Sequence, residues 1–449
     1  MSSGARGLLK ACRAAAFVVA SVTNTMVVAG ELAYGGAYSY QYDSNVKRVQ
    51  DNPVSDTIQT GVVGLSYLQN TEALTANLVA QVSRKLYTKD TFAPETAYYA
   101  NGAAVWVISP QFLSWRLEDV ASQVLLDITQ PDTPTNRTNS NSLNTGPDLT
   151  FRLGADSVIL GARYGRFDVQ GPGDNYRYTG FVRYLHPLSP MSVVSLNTEA
   201  QDIYYSPPAV NAEIVRQDTF GRYQLRSEVN ELTVDLGTTH DAASGGQDIT
   251  KPLIAIAGTH RLTPTSAIHT TILDRTLDTY SYLATGATTP VPPTDPTAGV
   301  GSPSPTVLAG DVYQKRYADL VLVTRGTFLG STAQAYAQSI DYQTLVDQDY
   351  NEWGGRVSAT WFYSVDLRLR AQAEYIKRTF TSFTREDADK NANIGVQHLL
   401  NPNFALAFLG ERAQRSSTEP GANFVDHRAT VYLIYSSNMR QYTPGYRRN

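Results

Sequence analysis

The chain has 449 residues, with 37 Lys+Arg against 41 Asp+Glu, a formal charge of −4, 28 Tyr and one Cys. Only 17% of residues are charged, against about 25% in an ordinary soluble domain, and the 42% apolar fraction with its aromatic excess excludes disorder. The near-neutral balance leaves no electrostatic footprint for nucleic acid, and the lone cysteine excludes a disulfide framework or a thiolate metal site.

Residues 1–29 come first in chain order. Arg6, Lys10 and Arg13, with no acid among them, precede the apolar run Ala14–Ala20 and a weaker run ending at Ala29. A basic head, an apolar middle and a small-residue exit describe a secretory signal peptide. Cleavage is expected near Ala29. It removes Cys12 and three positive charges, leaving a cysteine-free mature chain with 34 basic and 41 acidic residues. After this segment no run reaches the roughly 18 apolar residues of a membrane-spanning helix.

From Ala33 onward apolar and polar residues alternate in segments of roughly ten or more residues, the signature of a transmembrane antiparallel β-barrel. The first half predicts strands at 33–43, 56–68, 74–88, 95–108, 113–127, 148–154, 157–168, 175–186, 191–205 and 219–228. The second half predicts them at 232–240, 249–261, 266–280, 310–327, 331–342, 349–363, 366–380, 386–399, 403–415 and 424–435. These make an all-β fold of about 20 strands, with 18 to 22 compatible with the pattern, and place the barrel at 30–435 with a basic tail at 436–449. Short connections such as 186–190 and 400–403 take turns with longer polar ones, among them 44–55, 128–147, 206–218 and 281–310. That asymmetry separates periplasmic turns from outer loops, and an even count puts both ends of the barrel in the periplasm.

The clearest alternation lies in 366–378. Leu367, Leu369, Ala371, Ala373 and Tyr375 share one face, while Arg368, Arg370, Gln372 and Glu374 share the other. In hydrocarbon every backbone polar group needs a partner, so strands cross a membrane only as a closed ring, apolar faces outward. The inward set then includes Arg163, Arg177, Arg183, Arg222, Arg226, Arg356, Arg368, Arg370, Glu374 and Arg428. A ring this wide is expected to leave an aqueous passage. The arginines either give that pore an anion preference or pair with carboxylates such as Glu228, Glu374 and Asp426 and hold the wall.

Other chemistry is faint. His186, His240, His260, His269, His398 and His427 stand at no triad or ligand spacing, and no GxSxG accompanies them. Neither an enzyme nor a cofactor is expected. The acidic stretches 347–352 and 387–391 lack the Gly and distal Glu of a calcium loop, so no metal site is assigned.

A resemblance adds to this reading. Tyr40-Gln41-Tyr42-Asp43-Ser44-Asn45-Val46 with Arg48, then Ser55-Asp56, Trp115-Arg116-Leu117-Glu118-Asp119 and Gly146-Pro147 resemble the outer-membrane family called beta-barrel porin type 2. The resemblance implies a Gram-negative outer-membrane location and a link to exopolysaccharide export, with membrane lipid, a polysaccharide and its export machinery as partners. Outer-membrane barrels usually finish on an aromatic residue, and this chain departs from that by ending Tyr446-Arg447-Arg448-Asn449. The expected function is therefore an outer-membrane channel passing a polysaccharide or another sugar or anionic solute. The alternatives are a general diffusion porin and a structural barrel that anchors glycan.

Overall fold

The computed structural model describes residues 30–169, 173–206, 213–243, 248–286, 304–307 and 311–437. The expected signal peptide and all but the first two residues of the expected tail lie outside them. Five strands open the chain: β1 (Glu31–Asp43), β2 (Asp56–Asn70), β3 (Leu74–Tyr87), β4 (Glu95–Ser109) and β5 (Leu113–Leu125). Next come β6 (Arg137–Leu153), β7 (Asp156–Val169), β8 (Asn175–Ser189), β9 (Ser192–Tyr205), β10 (Glu213–Arg226), β11 (Asn230–Ala243), β12 (Ile249–Thr263) and β13 (Ser266–Leu277). A short helix α1 (Thr279–Gly286) and a four-residue strand β14 (Ser304–Val307) interrupt the meander. It resumes with β15 (Tyr313–Arg325), β16 (Leu329–Tyr342), β17 (Tyr350–Phe362), β18 (Leu367–Phe380), β19 (Glu386–Leu399), β20 (Phe404–Ser417) and β21 (Phe424–Ser436).

Leaving β14 aside, each strand pairs antiparallel with its neighbours in sequence. The first and last meet from Gly35↔Ser436 to Asp43↔Arg428, which closes a ring of 20 strands. This is the fold of an outer-membrane barrel, and closure leaves the wall without a free edge. Turns such as 71–73 and 264–265 sit at the rim that also holds the start of β1 and the end of β21, and the longer connections sit at the other. By the convention of such barrels the first rim is periplasmic and the second is the outer rim.

The outward face is apolar and bare. Val63, Leu196 and Ile394 are 66%, 61% and 68% exposed, values that make sense only if lipid covers them. Outward aromatics form two belts, with Trp106, Trp115, Trp361 and Phe404 toward the periplasmic rim and Tyr42, Tyr176 and Trp353 toward the outer one. Such rings suit the boundary between lipid and water.

Four elements differ from the sequence reading. β6 begins at Arg137 rather than 148, so the connection expected over 128–147 is mostly strand. Its alternation is carried by Thr138, Ser140 and Ser142, buried hydroxyls on the lumen side, and a hydrophobic period cannot register it. β10 starts at Glu213 rather than 219, and its period is hidden because Ile214 faces inward with Arg216 and Asp218 while Val215 faces out. Neither α1 nor β14 has a signal in the alternation, because both lie inside the ring.

Candidate functional site

Register places all ten inward candidates on the lumen face. Arg163 stands opposite Thr179 on the face of Arg177 and Arg183, Arg222 opposite Asp235, Arg356 opposite Glu374, Arg368 opposite Gln397, and Arg428 opposite both Asp43 and Glu411. Arg226 follows Arg222 on the same face near the periplasmic rim, and Arg370 follows Arg368. The ten do not form one constellation. They fall into two environments, because the outer half of the lumen is filled and the periplasmic half is not.

The filling comes from two connections that bend inward at the outer rim. The first joins β13 to β15. Asp278 at its start is 1% exposed and lies 2.5 Å from Arg177, with Arg216 at 3.7 Å. Arg216 also holds Asp241 at 2.8 Å, and the partly exposed Arg275 holds the buried Asp218 at 2.7 Å, so three arginines and three aspartates balance in this region. Burial alone would raise the Asp278 carboxyl. Arg177 and Arg216 outweigh it and hold the group well below its ordinary 3.8. α1 then packs into the wall, with the Arg177 guanidinium 3.8 Å over the Tyr280 ring and Leu283 against Val124 and Phe167. Gly165 makes room for this approach, since a Cβ there would stand 2.8 Å from the Tyr280 hydroxyl.

The second inward connection, 126–136, joins β5 to β6. Its Ile128 packs with Leu277, Tyr313, Ile340, Tyr342, Tyr350 and Phe380 on the far wall, and Arg385 donates to the Thr129 carbonyl at 2.9 Å. Asp132 receives Arg137 at 2.5 Å and Arg48 at 3.6 Å. Burial opposes its charge, but Arg137 and Arg48 bring the carboxyl below its ordinary range. Together the two connections fill part of the outer half of the lumen with apolar contacts and compensated charge.

The periplasmic half keeps its polar wall open. Arg356 meets Glu374 at 2.5 Å with its side chain 49% exposed, and Arg222 grips Asp235 through Nε and Nη2 at 2.6 and 2.7 Å. Asn391 and Asn144 donate to Glu374 and Glu118. Arg368 bonds Gln397, Arg370 bonds Gln372, and Arg183 lies 4.3 Å over the Phe181 ring. At the outer rim, by contrast, Arg428 reaches Asp426 at 2.7 Å and both Asp43 and Glu411 at 3.9 Å. Arg356, Arg222 and Arg428 are therefore neutralised locally. Of the three carboxylates expected to pair with them, Glu374 and Asp426 do, while Glu228 offers Arg261 only its backbone carbonyl.

Arg163 has a different task. The β6–β7 ladder breaks between Thr145↔Tyr164 and Asp148↔Gly161, where Pro147 has no N–H to give and a Cβ on Gly146 would sit 2.0 Å from the Ala162 carbonyl. The Arg163 guanidinium donates to the Pro147 and Ala162 carbonyls, both at 2.9 Å, and to Asp148 at 2.7 Å. It closes a hole in the wall's hydrogen bonding. Asn45 and Asp56 also build structure. The Asn45 side chain donates to the Val49 and Val425 carbonyls, and Asp56 caps the Thr57 and Lys89 N–H groups.

The faint candidates are engaged in similar ways. Asp387 binds Arg385 and Ser417, Asp389 binds Arg415, and Asp349 accepts from the Tyr342 N–H. His186 pairs with Asp156 at 2.6 Å, His240 contacts Thr250, His260 contacts Asn230, and His269 contacts Thr259. Among the described residues no group of three His, Cys, Asp or Glu is placed to hold a metal ion.

No family model matches the chain, and no curated protein matches it. Among solved structures, the siderophore receptor PirA from Pseudomonas aeruginosa is similar over 92% of this chain and 81% of its own, at 11% identity and a TM-score of 0.45. A variant of the ferric enterobactin receptor PfeA from the same organism, in complex with enterobactin, is similar over 92% and 82%, at 11% identity and a TM-score of 0.48. The FrpB iron transporter from Neisseria meningitidis is similar over 90% and 82%, at 8% identity and a TM-score of 0.42.

Proposed function

We propose that the protein is a bacterial outer-membrane channel for a hydrophilic solute of the carbohydrate class, an exopolysaccharide or acidic sugar, with its outer mouth gated. The observation that carries this is the periplasmic half of the lumen, an open wall of amides and locally paired charge inside a lipid-facing ring. Such a wall offers hydrogen bonds to hydroxyl groups, and its local pairing leaves a net field that is weak and positive. The polysaccharide assignment is supported by the resemblance carried in Tyr40–Val46, Trp115–Asp119 and Gly146-Pro147. The lumen-facing arginines of the periplasmic half, Arg183, Arg226, Arg368 and Arg370, are the residues proposed to tilt the lumen toward anions.

The test is the mature chain in planar bilayers under a salt gradient. Anion preference and transient current block by acidic oligosaccharides added from the periplasmic side are expected. Cation preference, or indifference to oligosaccharides, overturns the assignment. The packing of two connections into the outer half of the lumen supports a second reading, a barrel that anchors surface glycan without conducting it, and absence of current in every variant below would favour that one.

A further inference from the structure

β5 has two edges, and only one is paired along its length, with β6 out to Leu125↔Arg137. The other pairs with β4 from Leu113↔Ser109 to Ala121↔Ala100 and stops there. β4 nevertheless continues outward, paired with β3 as far as Glu95↔Lys85. The outer end of the β5–β6 hairpin has bent away from β4 into the lumen. Besides the Gln123 amide of β5, which still donates to Glu95 of β4 at 2.8 Å, two substitutes fill the gap. β14 lies in parallel on the freed edge of β5, with Ser304↔Val124 and Val307↔Leu125. On the freed edge of β4, the Asn139 amide acts as a short piece of strand. Its Nδ2 donates to the Thr96 carbonyl at 2.9 Å and its Oδ1 accepts from the Tyr98 N–H at 3.4 Å.

We propose that the outer end of β5 is a shared edge for which β4 and β14 compete, so that sealing the wall and releasing the plug are one event. Carried further, the β4–β5 register sets Tyr99 against Ser122, Tyr98 against Gln123, Ala97 against Val124 and Thr96 against Leu125. The last two of those positions, Val124 and Leu125, are where β14 now sits. One edge holds one strand at a time. With β14 on β5, the segment carrying α1 is docked and the wall has a lateral gap latched by Asn139. With β4 on β5, the wall is continuous and β14 is displaced, which withdraws its segment from the mouth. An open sheet edge is costly at membrane depth, so the exchange proceeds by replacing one set of ladder bonds with another rather than by leaving either edge bare.

The experiment is disulfide trapping in the mature, cysteine-free barrel reconstituted in liposomes. Tyr98→Cys with Gln123→Cys reports the sealed state, and Ala104→Cys with Leu117→Cys, in the standing ladder, reports folding and oxidant access. The control pair is expected to oxidise rapidly and the test pair at least tenfold more slowly. Deleting residues 304–307 is expected to bring the test pair close to the control rate. In the cross-linked form, amide exchange over α1 should rise at least tenfold and fall back on reduction. The proposal is overturned if the control pair closes while the test pair stays open with and without 304–307. It is equally overturned if the test pair closes and α1 keeps its protection. Neither readout depends on whether the lumen conducts.

Discussion

Arg216 and Arg222 lie six residues apart on the lumen face of β10, and each grips an aspartate across the same pair of strands, Asp241 and Asp235. The first arginine side chain is 3% exposed and the second 31%. The difference is the cover: Asp278 and the chain leading into α1 close over the first and leave the second facing the open half. Identical strand chemistry thus yields a buried lock in one place and a wet wall in the other. Alternation along a strand decides which side a residue faces, and the inward connections decide what dielectric it meets there.

The contrast is best broken at its buried end. Asp278→Ala leaves Arg177 and Arg216 short of a counter-charge in a desolvated site, a loss of about 3–5 kcal/mol. Exchange protection of α1 should collapse and single-channel conductance should rise severalfold, and an unchanged mouth would show that the ion cluster does not anchor the plug. Next in size is Arg163→Ala, which uncaps two wall carbonyls and Asp148 at about 1–3 kcal/mol for each unsatisfied group. It should lower the unfolding midpoint in denaturant while leaving ion preference alone. Arg222→Ala, removing the same kind of pair as Arg216 but in the open half, should cost about 1–2 kcal/mol. If Arg216→Ala costs no more than that, burial is not what separates the two. Smallest is Arg356→Ala, about 0–1 kcal/mol for a half-exposed pair, with its effect seen as a reversal potential moved toward cations.

Acid provides a reversible version of the first break. The Asp278 carboxyl is held below 3.8 in the folded protein, so its contribution is complete above that value and is lost as pH falls through the lowered one. The mouth should therefore stay shut between neutral pH and pH 5 and open only in strong acid. Opening already at pH 5–6, read as conductance, would assign the latch to another group.

Much of the wall was legible in the sequence. The face of every residue in β18 follows from the run Leu367 to Tyr375, because one apolar position in two is a direct statement about lipid. The start of β6 was not legible, since Thr138, Ser140 and Ser142 alternate with other polar residues and carry no hydrophobic signal. The lumen side of Arg163 and Arg177 could be read from parity, but their partners could not. Arg177 meets Asp278 across 101 residues of chain, and nothing local to Asp278 announces a buried ion. Gly146-Pro147 stood out as a motif, and its meaning as a break in the ladder appeared only once Arg163 was seen covering the carbonyls.

One consequence follows from the meeting of β1 and β21. The Tyr34 N–H donates to the Ser437 hydroxyl across 403 positions, so the final hairpin seals what the first strand left open. Until that hairpin arrives, the growing assembly is a curved ribbon with two raw borders, and oil tolerates neither. Contacts this distant are also the slowest to find. Removing β20 and β21 should therefore abolish insertion altogether rather than produce a narrower cylinder: biogenesis of this protein is all or nothing, decided by its last thirty or so residues of strand.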